Sequence, residues 1–234
     1  MRVEVGHGTH TGLRREHNED TYWADGDLGL WLVADGMGGH DHGEVASALA
    51  RDSVVQAVQK GAPLSEAITF ADREIIRHSS EKRSDRPMGT TVVAVLSRND
   101  AFEVCWVGDS RVYLYNGQLK QVSRDHSYVQ ELIDQGAITA EQARTSPHRN
   151  VVTQALGVTQ PDQLKVETVK APLKPGELLL LCSDGLTEEV NDQAISELLA
   201  RGLSVQETVD HLIHAALEGG GSDNVTVLLV KRIS

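Results

Sequence analysis

Cysteine is scarce in this sequence, and so are aromatic side chains and positive charge. The two cysteines, Cys105 and Cys182, each sit inside an apolar run. They are too few for a disulfide framework or a cysteine-rich metal site and read as buried, reduced thiols. Lysine and arginine number 22 against 34 aspartates and glutamates, a formal net charge of -12. With no basic stripe to neutralise a phosphate backbone, nucleic acid is an unsuitable partner. Phosphorylated substrates stay open, because bound cations would reverse the local field. No apolar run reaches the length that spans a bilayer, and the opening MRVEVGHGTH has no apolar signal core. The expectation is a cytoplasmic protein with no membrane segment. Repeats, proline-rich linkers and low-complexity tracts are also missing, so residues 1–234 read as one domain with one well-buried core.

What is present centres on LWLVADGMGGHDHGEVAS, residues 30–47. The apolar run Leu30, Trp31, Leu32, Val33 stops at Asp35-Gly36, and from Gly43 apolar positions recur at helical spacing. This predicts a strand, a sharp turn and a helix, with a carboxylate at the end of the strand. A near-copy, LLLLCSDG, occupies residues 178–185. Three further aspartates stand where apolar strands begin or end: Asp20 (NED), Asp109 (GDS) and Asp223 (SDN). Singly, an aspartate at a turn is ordinary. If all five converge, their repulsion would hold several protonated unless cations compensate. Hard oxygen donors without a matching Cys/His set point to magnesium or manganese. Paired ions of this kind activate water and clamp phosphoryl oxygens.

Around these residues the pattern predicts strands over 2–10, from Tyr22, over Leu28–Ala34, Thr90–Leu96, Phe102–Val107, Arg111–Tyr115 and Leu119–Val122, with Asn116-Gly117 as a hairpin turn. Helices follow Gly43 and Pro63, and SEKRSDRP reads as a charged loop. Residues 125–160 differ in character, with two short helices and a capping-box pattern at Thr139 and Gln142; such an insertion reads as a flap or a surface excursion. Strands resume over Leu164–Val169 and Glu177–Cys182, then two helices, the second opened by Ser204 and Glu207, then a last strand over Asn224–Lys231. Strands in meander order with grouped helices indicate an α+β fold: a central antiparallel β-sandwich with pairs of helices outside, in four layers α-β-β-α.

The ordered series RREHNED, VADGMGGHDHGEVAS, MGTTVV, VGDSRVYLY, DHSYVQELIDQGAIT, RNVVTQALG, LCSDGLTEEV and GGGSDNVTVLLV resembles the motifs of the metal-dependent protein phosphatases (PPM, type 2C), in their compact bacterial form. The likeness runs from about Thr9 to Val230. It implies a β-sandwich flanked by helices, and hydrolysis of phosphoserine and phosphothreonine by direct attack of a water bridging two Mn2+ or Mg2+ ions. Carried over, Asp35 bridges the ions, Asp184 and Asp223 complete the first, and the Gly36 carbonyl holds the second with Asp20 bound directly or through water. Asp109 with Asp184 resembles the pair holding a third, weaker ion. Arg15 matches the phosphate-binding arginine, leaving Arg14 at the surface. The catalytic set is then Arg15, Asp35 and Asp184. Implied partners are phosphorylated proteins and a serine/threonine kinase whose products a monomeric enzyme reverses.

Eukaryotic relatives carry a histidine after the Asp-Gly, a proposed general acid; here the position is Met37, which has no proton to give. A metal-bound water is the first alternative, and His126 at the flap's edge is the second. His40-Asp41-His42 lacks further clustered ligands and reads as a solvent-facing helix start. Ser110 in GDSR has no histidine partner at a persuasive spacing and reads as structural. Two other readings remain beside the protein phosphatase: a hydrolase of small phosphate esters, and a non-catalytic phosphate-binding module.

Overall fold

The computed structural model describes residues 2–38, 41–81, 88–98 and 101–234. Two antiparallel sheets form the centre. One runs in the order β1 (Val3–His10), β11 (Val225–Arg232), β10 (Leu178–Cys182), β7 (Arg111–Tyr115) and β8 (Leu119–Gln121). The other runs β2 (Asp20–Asp25), β3 (Leu30–Met37), β5 (Val92–Arg98), β6 (Ala101–Val107) and β9 (Glu167–Pro172), with the two-residue β4 (Gly89–Thr90) paired to the end of β3.

Strand alternation explains the layering. Along β3, Trp31 and Val33 turn into the space between the sheets and meet Leu181, Leu228 and Val230 of the facing sheet. Leu30, Leu32 and Ala34 turn the other way, onto α1 (Asp41–Gln59) and α2 (Leu64–Glu81). A strand buried on both faces needs no polar partner in its alternation, which is why residues 30–34 read as a continuous apolar run. The opposite sheet does the same: Leu180, Cys182 and Val227 face the helices α5 (Asp184–Glu189), α6 (Asp192–Leu199) and α7 (Val205–Gly219). The expected four-layer α-β-β-α order is present.

Several boundaries differ from the sequence expectation. β3 does not stop before Asp35; it continues through Gly36 to Met37, because β4 pairs with that end, Gly36 opposite Thr90. The strand expected from Leu164 begins at Glu167, since the Gln160 carbonyl accepts the amides of Gln163 and Leu164 and holds a turn there. The outer layer beyond β10 has three helices, not a pair. Asp184–Glu189 is a six-residue helix burying Leu186 and Thr187, too short to show a helical period.

The flap follows β8 and carries α3 (Tyr128–Asp134) and α4 (Ala140–Arg144), the latter opened by the expected Thr139/Gln142 capping box. Its two legs pair with each other at Ser127 and Val152. The capping box at Ser204 and Glu207 also forms, opening α7. His40 and residues 82–87 of the expected charged loop lie outside the described residues, as does the side chain of Asp41. No described helix is long and apolar enough to cross a membrane.

Candidate metal and phosphate site

The strand registers build the site. Asp20 at the start of β2 lies directly opposite Asp35 in β3, so two carboxylates share one end of one sheet. Like charges facing each other across a ladder destabilise it. From the other sheet, Ser183 follows β10 at the N-cap position of α5, placing Asp184 in that helix's first turn, and Asp223 immediately precedes Asn224 and β11. Asp109 sits in the turn between β6 and β7, beside Gly108, whose φ of 106° is a left-handed value that glycine tolerates. Four of the five aspartates, Asp35, Asp109, Asp184 and Asp223, line one cleft of about 580 Å³ together with Arg15 and Gly36.

The backbone around Asp35 is held firmly. Its carbonyl accepts from the Thr91 amide (2.8 Å) and the Thr90 hydroxyl (2.8 Å). Gly36 allows a close approach: a Cβ there would stand 2.1 Å from the Gly43 carbonyl oxygen of α1 and 2.7 Å from that of Glu19. A side chain at position 36 would push the helix and the β2 start off the strand end.

The carboxylates are under electrostatic pressure. Loss of hydration, then its neighbours Asp20, Asp184, Asp109 and Asp223, push the Asp35 carboxyl well above the usual range. Asp109 is raised by burial and by Asp184 and Asp125. Asp184 is pushed up to about 6 by burial and Asp223, with Asp35 and the cations of Arg15 and Arg111 acting the other way. Asp20 is pushed up to about 7 by burial, despite the Ser183 hydroxyl donating to its Oδ2 at 2.8 Å. The Oδ1 atoms of Asp20 and Asp184 are buried without a hydrogen-bond partner. Buried oxygens with no donor, in a group of anions that resist ionising together, are what hard divalent cations relieve. Among the described residues, no three Asp, Glu, His or Cys side chains close round an ion by themselves.

Asp20 does not line the cleft. It lies behind it, 9% exposed and bound to Ser183, while its neighbour Glu19 reaches the cleft instead. Sequence reasoning missed Glu19; the signal was the alternation at a strand's start, which sends adjacent residues to opposite sides. It missed Asn224 as well. The Asn224 carboxamide accepts from the Glu19 amide (2.8 Å) and donates to the carbonyls of Thr11 (2.8 Å) and His17 (2.9 Å). Arg15 Nη2 donates to Asp223 Oδ2 at 2.6 Å, and its side chain is 55% exposed. Arg14 is exposed at the same rim.

A family model described as "Protein phosphatase 2C" matches residues 8–218. The chain belongs to the protein phosphatase 2C family. It is 37% identical over 238 residues to the serine/threonine phosphatase stp of Listeria monocytogenes, covering 96% of this chain and 94% of that one. Among solved structures, the serine/threonine phosphatase PstP/Ppp of Mycobacterium tuberculosis superposes with a TM-score of 0.91 at 34% identity, covering 99% of each chain. A structure of the PstP catalytic domain in complex with two manganese ions gives a TM-score of 0.89 at 33% identity, covering 99% of each chain.

This family membership also bears on the other candidates. The phosphatase buries Ser110, its hydroxyl bonded to that of Thr91 at 2.8 Å, a structural role as expected. His126 ties the flap to the β6–β7 turn: its Nδ1 accepts from the Gly108 amide (3.2 Å) and its own amide donates to the Gly108 carbonyl (2.9 Å). Burial lowers its pKa, so near pH 7 it is neutral and a poor acid. A second cavity of about 480 Å³ is lined by flap residues and by the Arg111–Asp125 ion pair (2.7 Å), and shares Asp109 and Asp184 with the first.

Proposed function

We propose that this chain removes phosphate from phosphoserine and phosphothreonine in proteins, with two manganese or magnesium ions held at the sandwich end by Asp35, Asp184, Asp223 and the Gly36 carbonyl. As a member of its family it is a protein serine/threonine phosphatase. The observation that carries the metal assignment is the convergence of aspartates from both sheets on one cleft, with buried carboxylate oxygens lacking donors. Asp109 with Asp184 is suited to a third, weaker ion on the flap side, where both also line the second cavity. Asp20, behind the cleft, contributes through water or by fixing Ser183.

When bound, the cations acidify the attacking water and neutralise charge on the phosphoryl oxygens. The protein's own groups do the rest. Arg15 offers a planar fork of N–H donors that matches two phosphate oxygens, and its salt bridge to Asp223 keeps it at the cleft while no phosphate is present. Asp35, locked at its carbonyl by Thr90 and Thr91, would hold its carboxylate in place for the cations. Met37 lines the cleft without a proton to give, and His126 is engaged with Gly108, so the departing serine oxygen takes its proton from water in the cleft. The flap residues Asn150 and Val152 line the same cleft and are placed to meet the polypeptide around the phosphorylated residue.

The partners we infer are phosphoproteins and a kinase that phosphorylates them, with the enzyme acting as a monomer in the cytoplasm. The deciding experiment is phosphate release from a phosphothreonine peptide with Mn2+, with Mg2+ and with chelator. Release that needs metal and stops with chelator supports the assignment. Full activity of Asp184→Ala at limiting metal would overturn it. A phosphopeptide turned over no better than a small phosphate ester would favour the small-ester hydrolase instead.

A further inference from the structure

Arg15 sits in the middle of a stretch without regular structure, between the end of β1 at His10 and the start of β2 at Asp20. An arginine on an unrestrained loop loses much side-chain and backbone freedom when it grips a phosphate, and that loss weakens binding. Something must hold the loop. The backbone offers little: the Leu13 amide donates to the Gly221 carbonyl at 2.7 Å, and the Glu19 carbonyl accepts from Gly36 at 3.2 Å.

We propose that Asn224 is the positioning residue for phosphate recognition: its carboxamide pins the Arg15 loop at three backbone points. Each of its polar atoms is committed. Oδ1 accepts from the Glu19 amide at 2.8 Å, and Nδ2 donates its two protons to the Thr11 carbonyl at 2.8 Å and the His17 carbonyl at 2.9 Å. These points bracket Arg15 on both sides. Asn224 is 5% exposed, so its end of each bond is largely shielded from water. Only a carboxamide offers two donors and an acceptor in this geometry. Asn224 also follows Asp223, the group Arg15 holds at 2.6 Å, so one dipeptide sets both the loop and its resting partner. Thr11 and Gly12 pack against this segment closely enough that a Cβ at Gly12 would stand 2.2 Å from the Asp223 carbonyl oxygen.

This inference rests on Arg15 being the phosphate ligand, and it assigns Asn224 no contact with the reacting atoms. The test is a double-mutant cycle of Asn224→Ala with Arg15→Ala, read as inorganic phosphate binding to the Mn2+-loaded protein by calorimetry and as KM and kcat on a phosphothreonine peptide. Asn224→Ala is expected to weaken phosphate binding and raise KM by about tenfold, with kcat changed less. In the Arg15→Ala background the same change should add less than about twofold, because the residue acts through that arginine. Hydrogen exchange of the metal-free protein should show the Glu19 amide losing protection. Equal effects in both backgrounds, or phosphate binding unchanged by Asn224→Ala, would overturn the proposal. Asn224→Ser, which keeps a hydroxyl but cannot reach three partners, serves if the alanine variant fails to fold. Phosphate binding needs no turnover, so a wild-type protein that binds phosphate but releases none would count against the phosphatase reading and not against this one.

Discussion

The Arg15 guanidinium stands between two anions, Asp223 in this structure and a phosphate in the proposed reaction. A charge-assisted, bidentate phosphate contact contributes about 1.5–3 kcal/mol, so its removal should raise KM by roughly ten- to a hundredfold. Arg15→Ala should therefore lose affinity more than turnover, which steady-state kinetics on a phosphopeptide would separate; an unchanged KM would exclude the arginine from phosphate binding. The cysteines give a second prediction at this scale. Burial pushes the Cys182 thiol up to about 12 and the Cys105 thiol up to about 11, the latter against a 3.2 Å contact with the Thr168 hydroxyl. Neither carries appreciable thiolate at pH 8, so a maleimide should label the folded protein at neither and the unfolded protein at both, as mass spectrometry would show.

The flap is the element whose attachment was least legible in the sequence. Its far leg is fixed at two points: Leu156 and Thr90 exchange backbone hydrogen bonds at 2.9 and 3.1 Å, and the Gly157 amide donates to Asp72 Oδ1 of α2 at 2.8 Å. Asp72 is buried with its pKa raised by that burial, against the lowering effect of the Gly157 bond. A carboxyl raised in the folded state binds its proton more tightly folded than unfolded, so its ionisation lowers stability as pH rises through the folded value. Asp72→Asn keeps an acceptor for Gly157 and removes the charge; in urea at pH 7 it should be at least as stable as wild type and lose part of the gain that wild type shows on acidification. Asp72→Ala leaves the amide unmet and should cost about 1–3 kcal/mol. Equal stability of all three at pH 7 would mean that the latch carries nothing. Helical spacing places Ile68, Ala71, Ile75 and Ile76 on the buried face of α2; the first three are buried as expected, whereas Ile76 is only half-buried. That spacing had no means to place Asp72 there, since its partner lies 85 residues away. The same limit applied at the site. The aspartates were visible as strand-end motifs, whereas the exchange of Asp20 for Glu19 at the cleft depends on where β2 starts, one residue deciding which side chain faces in.

At the scale of the molecule, the aspartates straddle the sandwich: Asp20 and Asp35 belong to one sheet, Asp184 and Asp223 to the ends of strands in the other. Without cations the like charges disfavour the folded arrangement at that end, while the apolar contacts of Trp31, Val33, Leu181 and Leu228 hold the middle. Function and stability are then opposed in the metal-free protein, a common arrangement at sites built from like charges. Cations that bind only the folded state reverse the balance, with stabilisation growing as RT ln(1 + [L]/Kd), about 2.7 kcal/mol at a hundredfold excess over Kd. Two consequences can be measured on the whole protein without any substrate. Mn2+ should raise the melting temperature in proportion to the logarithm of its concentration and protect the amides of Gly36, Ser183 and Thr226, which lie at the charged end, more than those of the sandwich middle. Asp35→Asn, nearly the same shape with one anion fewer, should melt higher than wild type in chelator and gain much less from Mn2+. If the variant instead melted lower in chelator and still responded fully to the metal, the carboxylate of Asp35 would be neither the centre of the repulsion nor the bridge that relieves it.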